Sequence, residues 1–388
     1  MEHGENIDVV CFSHLRWNSV KQRPHHLMDR CARERRVFFW EEAEFGNVES
    51  PQFQIEQHGD VYVVRPTLPY ALNSTDFSEP LRALLRQLLQ SHKINRPIAW
   101  YYAPMAIGFT DQLAVSAVVY DCMDELSAFR GAPHQMVERE QRLLNMADVV
   151  FAGGRSLFES KRPLHRNIHL FPSSIDFEHF AAARLPQAEP SDQARICRPR
   201  AGFYGVIDER FDFHLIARTA QLLPDVQFVL LGPIFKVAEH ELPRADNIHY
   251  LGQKSYAELP RYLAGWDVAL IPFALNEATR FISPTKTPEY LAAGRPVVST
   301  PIADVIASYG SVVQIAATPE EYARAIRSAI ATSKNAERIE AADEAVAGQS
   351  WDSTWEAMWR LVEPFLPSRL DEDGQLSRVE KRASCTTI

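Results

Sequence analysis

Lys286 and Glu289 lie within one stretch, SPTKTPEYLAAGRPVVST, residues 283–300. A polar, proline-stiffened loop (Ser283, Pro284, Thr285) leads into a short helix, which stops at Gly294 before a strand. A helix start presents free backbone N–H groups and the positive end of the helix dipole, both favourable to phosphate. One turn in, the Glu289 carboxylate is placed to accept two hydroxyl donors from a ribose. Arg210, in GVIDERFD, follows the strand-like run AGFYGVI. A guanidinium there neutralises a diphosphate bidentately or pairs with Asp208 or Asp212.

The first half of the chain offers a second set of groups. In YDCMDE, Asp121 and Asp124 close a strand. Carboxylates there orient or deprotonate an acceptor hydroxyl, or cap the next loop. In SHLRWNSVKQRPHHL, His14, Arg16, Trp17, Lys21, Arg23, His25 and His26 crowd one loop and helix start. That set suits an anionic or sugar ligand, with Trp17 as a stacking face. Metal ligation is not expected, because the histidines lack a partner at helical spacing. The chain lacks G-x-S-x-G, H-E-x-x-H and G-x-x-x-x-G-K-[ST], so hydrolase, zincin and P-loop chemistries lose their usual support.

These groups need a frame, and the chain supplies an alternating one. Strand-like runs fall at 8–12, 36–40, 61–65, 98–102, 117–121, 149–152 and 168–171, with helical periodicity between them. Residues 181–200 have no periodicity, and the alternation then restarts. It predicts an α/β protein with two doubly wound, Rossmann-like domains facing a cleft. The expected division is 1–185, a linker at 186–200, a second domain at 201–349, and a Trp-rich helix at 350–366 packing back across the domains. A tail without ordered structure is expected at 367–388. Trp351, Trp355 and Trp359 recur every fourth residue, which puts three indoles on one helix face.

Composition limits the partners. The 388 residues are 46% hydrophobic and 23% charged, with a net charge of −9, which argues against general nucleic-acid binding. The five cysteines have no C-x-x-C spacing and read as buried, reduced thiols in a cytoplasmic protein. MEHGENID does not open a signal peptide, and no apolar run is long enough to span a membrane. Arg30, Arg33, Arg35 and Arg36 form a basic cluster that suits peripheral contact at the inner membrane face, or a solvated helix face.

Taken in order, AGFYGVIDER, VQFVLLGP, NIHYLGQKSYAELPRYLAGWDVALIPF and SPTKTPEYLAAGRPVVST resemble the donor domain of retaining group one/four glycosyltransferases with the two-Rossmann (GT-B) fold. ADVVFAGGRSLFESKR and LFPSSIDFEHF extend the resemblance into the first half. It implies a nucleoside-diphosphate-sugar donor as substrate, no cofactor or metal, and a glycan or lipid-linked acceptor in bacterial surface polysaccharide or glycolipid synthesis. It places Glu289 on the ribose, Arg210 and Lys286 at the diphosphate, and Ser283, Pro284 and Thr285 near sugar or phosphate. Gly205 would allow close backbone approach. His14 with Asp121 or Asp124 would face the reacting sugar carbon and the acceptor, with Arg16 and Trp17 nearby. The chain departs from the family pattern at three places. Phe281 stands where a first glutamate is usual, Val206 where an arginine is usual, and WNSVKQRPHH replaces a Gly-Gly loop. A nucleotide-sugar epimerase on the same plan and a non-catalytic nucleotide-sugar-binding partner are the alternative readings.

Overall fold

The computed structural model describes residues 7–73 and 76–367; the tail expected beyond residue 367 lies outside them. Two sheets form. The first comprises β1 (Val9–Ser13), β2 (Val37–Glu41), β3 (Glu44–Gly46), β4 (Gln52–His58), β5 (Val61–Pro69), β6 (Ile98–Tyr101), β7 (Ala117–Cys122), β8 (Val149–Ala152) and β9 (Ile168–Leu170). The second comprises β10 (Arg200–Tyr204), β11 (Gln227–Leu231), β12 (Ile248–Gly252), β13 (Val268–Ile271), β14 (Val297–Ser299) and β15 (Gln314–Ile315). Their orders are β3-β5-β2-β1-β6-β7-β8-β9, with β4 on β5, and β12-β11-β10-β13-β14-β15.

All pairings are parallel except β4 with β5. Strands such as VVCFS, AVVYDC and VALI are buried throughout, as parallel strands covered on both faces must be. In both sheets the first strand in sequence is central and the strand order reverses beside it. Such a reversal opens a crevice at the carboxyl ends of the strands. Here the crevices lie beside β1/β6 and β10/β13.

β4 has no counterpart in the expected strands. QFQIEQH alternates inward Phe53 and Ile55 with exposed polar residues, the pattern of a half-covered edge strand.

The expected linker also takes a different form. Gln193 is fully buried, donates to the Tyr262 carbonyl at 3.0 Å and accepts from the Trp266 indole at 2.9 Å. Asp192 holds Lys254 at 2.7 Å, so the segment is strapped onto the second sheet. Ile175, Phe180 and Ala183, expected in the first domain, join the second core. Their apolar side chains pack there because the chain has already crossed over.

The Trp351–Val362 helix, capped by Ser350 accepting from Ser353 N–H at 3.0 Å, returns to the first sheet. Trp351, Trp355, Met358, Trp359 and Val362 share a core with Val9, Leu27, Trp100 and Val149. The arginines of the basic cluster find partners within this domain, although Arg33 stays largely exposed. Arg30 and Arg33 bond Asp352 at 2.9 and 2.5 Å, Arg35 lies 3.8 Å over the Trp359 ring, and Arg36 bonds Asp8 at 2.7 Å. Cys11, Cys31 and Cys122 are buried free thiols as expected, but Cys197 is exposed, since it lies in the surface strap. Among the described residues, no helix is long and apolar enough to cross a membrane.

Candidate active site between the two sheets

β13 delivers the chain through a loop to the Lys286–Ala292 helix, whose residues Thr287 to Ala292 are buried. Thr285 takes the N-cap position without a side-chain cap bond; in the first turn Thr287 N–H donates to the Pro284 carbonyl at 3.1 Å and Pro288 has no N–H to offer. Glu289 is 6% exposed. The Tyr204 hydroxyl, at the end of β10, donates to Glu289 Oε2. Burial pushes the Glu289 carboxyl up to about 7, against the pull of Tyr204 and Lys286. Burial and the neighbouring Arg210 push Lys286 down to about 8, against Glu289, Asp208 and Asp124. The Lys286 side chain crosses directly over Gly205, whose φ of 143° and missing Cβ make the crossing possible. Arg210 is held bidentately by Asp208, at 2.6 and 3.0 Å, and stacks 5.3 Å from the Phe129 ring of the first domain.

Across the cleft, Asp124 is half-buried, and burial raises its carboxyl to about 6 while Arg210 opposes the rise. His14 is pushed down to about 4 by burial, against a hydrogen bond with the Tyr102 backbone and with Arg210 adding to the fall. Arg210 therefore lies within electrostatic reach of both His14 and Asp124, but the cavity that Arg210, Lys286 and Glu289 line does not include those two residues.

Three sequence expectations need correction. Asp121 is fully buried, and Arg23 Nε donates to both its oxygens at 2.9 and 3.0 Å. It is the counter-charge of a buried arginine, with no open face for a substrate. Arg16 folds back to Glu41 at 3.0 Å and Glu44 at 3.2 Å. Trp17 packs 4.9 Å from Phe39 and 5.1 Å from His25. The cause is Glu41, buried at the end of β2, which takes both Arg16 and the Trp17 N–H. His25 and His26 are buried. Among the described residues, no group of three or more His, Cys, Asp or Glu side chains is placed to hold a metal.

The loop meets the cleft instead through Asn18, Ser19, Val20, Lys21 and Gln22. These residues, with Tyr204, Gly205, Val206, Arg210, Gln253 to Tyr256, Thr285, Lys286 and Glu289, line a cavity of about 570 Å³. Ser283 and Pro284 are half-buried beside this lining, outside it. Sequence reasoning missed Tyr204 and Tyr256. Tyr204 directly precedes Gly205, but its bond to Glu289 spans 85 positions. The Tyr256 ring stacks on His179 at 4.3 Å, and its buried hydroxyl lacks a partner. Phe281, in place of the usual glutamate, packs against the first domain's core.

Residues 198–332 match the family model described as Glycosyl transferases group 1. A Bacillus subtilis (strain 168) protein, TuaH, assigned as a glycosyltransferase of teichuronic acid biosynthesis, is 26% identical over 222 residues. That alignment covers 53% of this chain and 56% of TuaH, so the chain spans about half the length of the curated relative it matches. Among solved structures, the sucrose-phosphate synthase of Thermosynechococcus elongatus superposes with a TM-score of 0.68 at 14% identity, over 92% of this chain and 98% of that one. An E. coli trehalose-6-phosphate structure bound with UDP-2-fluoro glucose gives 0.65 at 15% identity, over 91% and 98%. These superpositions agree with the two-Rossmann frame.

Proposed function

From the match of residues 198–332 to the group 1 glycosyl transferase model, we infer an enzyme that moves a sugar from a nucleoside-diphosphate donor to a hydroxyl acceptor. The observation that carries this reading is the cluster of Glu289, Lys286, Arg210 and Gly205 lining one cavity at the carboxyl end of β10, with Asp124 and His14 within electrostatic reach of Arg210. Glu289 accepts the ribose hydroxyls with the oxygen Tyr204 leaves open. Gly205, by leaving room for the Lys286 side chain, lets the Lys286 ammonium reach the diphosphate at the carboxyl end of β10. As the glycosidic bond breaks, negative charge collects on the leaving diphosphate, and Lys286 with Arg210 stabilises it. These cations carry out the charge neutralisation, with no metal or cofactor. His14 and Asp124 meet the donor sugar and the acceptor from the other wall. With Phe281 half-buried against the first domain's core, sugar recognition falls to the Ser283–Thr285 backbone and the first-domain wall.

The likeness to TuaH supports surface polysaccharide synthesis as the setting, and the resemblance to retaining enzymes makes retention of anomeric configuration part of this reading. The acceptor is a glycan or lipid-linked glycan, met by a cytoplasmic protein.

Glu289→Ala is expected to weaken binding of a matching nucleoside diphosphate by about 10–100-fold, from loss of charge-assisted hydrogen bonds. Calorimetric titration alongside donor turnover measures this. Unchanged affinity would remove Glu289 from the site. Incubation with nucleotide sugars alone separates transfer from epimerisation, because only an epimerase returns an isomeric donor.

A further inference from the structure

The seam between the two domains runs through Gly153 and Gly154, which face opposite ways. A Cβ at Gly153 would lie 2.9 Å from Met123 Cα and 3.1 Å from its carbonyl oxygen. Met123 directly precedes Asp124. At Gly154, a Cβ would collide with the Asp304 carboxylate and lie 2.8 Å from Ser283 Cβ. This thin glycine pair lies between Met123 of one domain and Asp304 and Ser283 of the other.

Gly154 occupies the N-cap position of the Arg155–Lys161 helix and has no side chain to serve it. The cap comes from the second domain. Asp304 is 4% exposed, and its two oxygens accept from the N–H groups of Arg155 at 2.7 Å and Ser156 at 3.0 Å. At the helix's other end, buried Lys161 lies 2.6 Å from both Glu125 and Glu140. Glu125 directly follows Asp124. The helix and its glycine turn thus grip the residues on both sides of Asp124, while the helix start is held by the opposite domain.

We propose that Asp304 is a positioning residue: by capping the Arg155–Lys161 helix across the seam, it holds the domains at this spacing and sets Asp124 against the elbow at Lys286 and Glu289. The role of Asp124 in turnover rests on the transferase reading; the capping itself does not. The nucleotide-binding groups lie almost wholly on the second domain, so loss of the cap separates two quantities that a general loss of stability would move together.

The test uses full-length Asp304→Ala, Asp304→Asn and Gly154→Ala. Amide hydrogen exchange at Arg155 and Ser156 and the small-angle scattering radius are read without substrate. Affinity is read with the uridine, guanosine and adenosine diphosphates, and turnover at saturating donor. Asp304→Ala is expected to speed exchange at both amides, enlarge the scattering radius and lower turnover by about tenfold or more. Nucleoside diphosphate affinity should stay within about twofold. Asparagine keeps one acceptor oxygen in the same shape and should fall between alanine and the native residue. Gly154→Ala should copy the turnover loss by wedging the seam apart. Unchanged exchange and scattering in Asp304→Ala would overturn the proposal, as would affinity and turnover falling in parallel. Native protein without turnover would instead sink the transferase reading, leaving the exchange and scattering arms intact.

Discussion

Glu289 and Lys286 illustrate how burial in one small space shifts an acid and a base towards each other. Glu289 rises to about 7 and Lys286 falls to about 8, both chiefly because their charged forms lose water. As pH falls through about 7, Glu289 takes a proton and loses acceptor capacity for ribose hydroxyls. As pH rises through about 8, Lys286 loses the charge that attracts phosphate. Nucleoside diphosphate affinity of the free protein is therefore expected to peak between these limits and decline on both sides. Binding titrations across pH check it, and a flat profile would separate this pair from the ligand. The position of both residues on the helix was legible in the sequence because a helix start and a carboxylate one turn later are local features. Asp121, Arg16 and Trp17 were misread because their partners, Arg23 and Glu41, arrive from other elements.

At the scale of elements, the Trp351–Val362 helix ties the end of the described chain to its first sheet. Trp355 lies 5.7 Å from Trp100 and 5.4 Å from Trp359. Replacing it with alanine is expected to cost about 3–5 kcal/mol, through lost burial and an unfilled cavity. Urea unfolding followed by circular dichroism measures the loss; a change under about 1 kcal/mol would mean the site collapses to fill the space. The four-residue spacing of the indoles disclosed the face, but the partner sheet lies far upstream and left no local trace. The strap at 186–199 carries the same lesson. Its polar composition reads as a spacer, yet Gln193 and Asp192 find fixed partners only once β13 and its preceding helix are in place.

For the whole molecule, the two sheets present their strand-order reversals to one cleft, and cations from the second domain face acid and imidazole from the first. Because Arg210 and Lys286 supply the positive charge at the proposed diphosphate site, turnover is expected to survive chelation with EDTA. Activity lost on chelation and restored by a divalent cation would assign that role to a metal. The sequence by itself determined the α/β class, the restart of the alternation after residue 200 and the loop-to-helix elbow at 283–292, since each rests on periodicity or short-range spacing. Tertiary structure alone decided that Asp121 is a buried counter-charge, that Tyr204 steadies Glu289, and that Asp304 caps a helix of the other domain. Each depends on contacts between residues far apart in the chain, whose pairing follows from how the sheets and crossover helices pack.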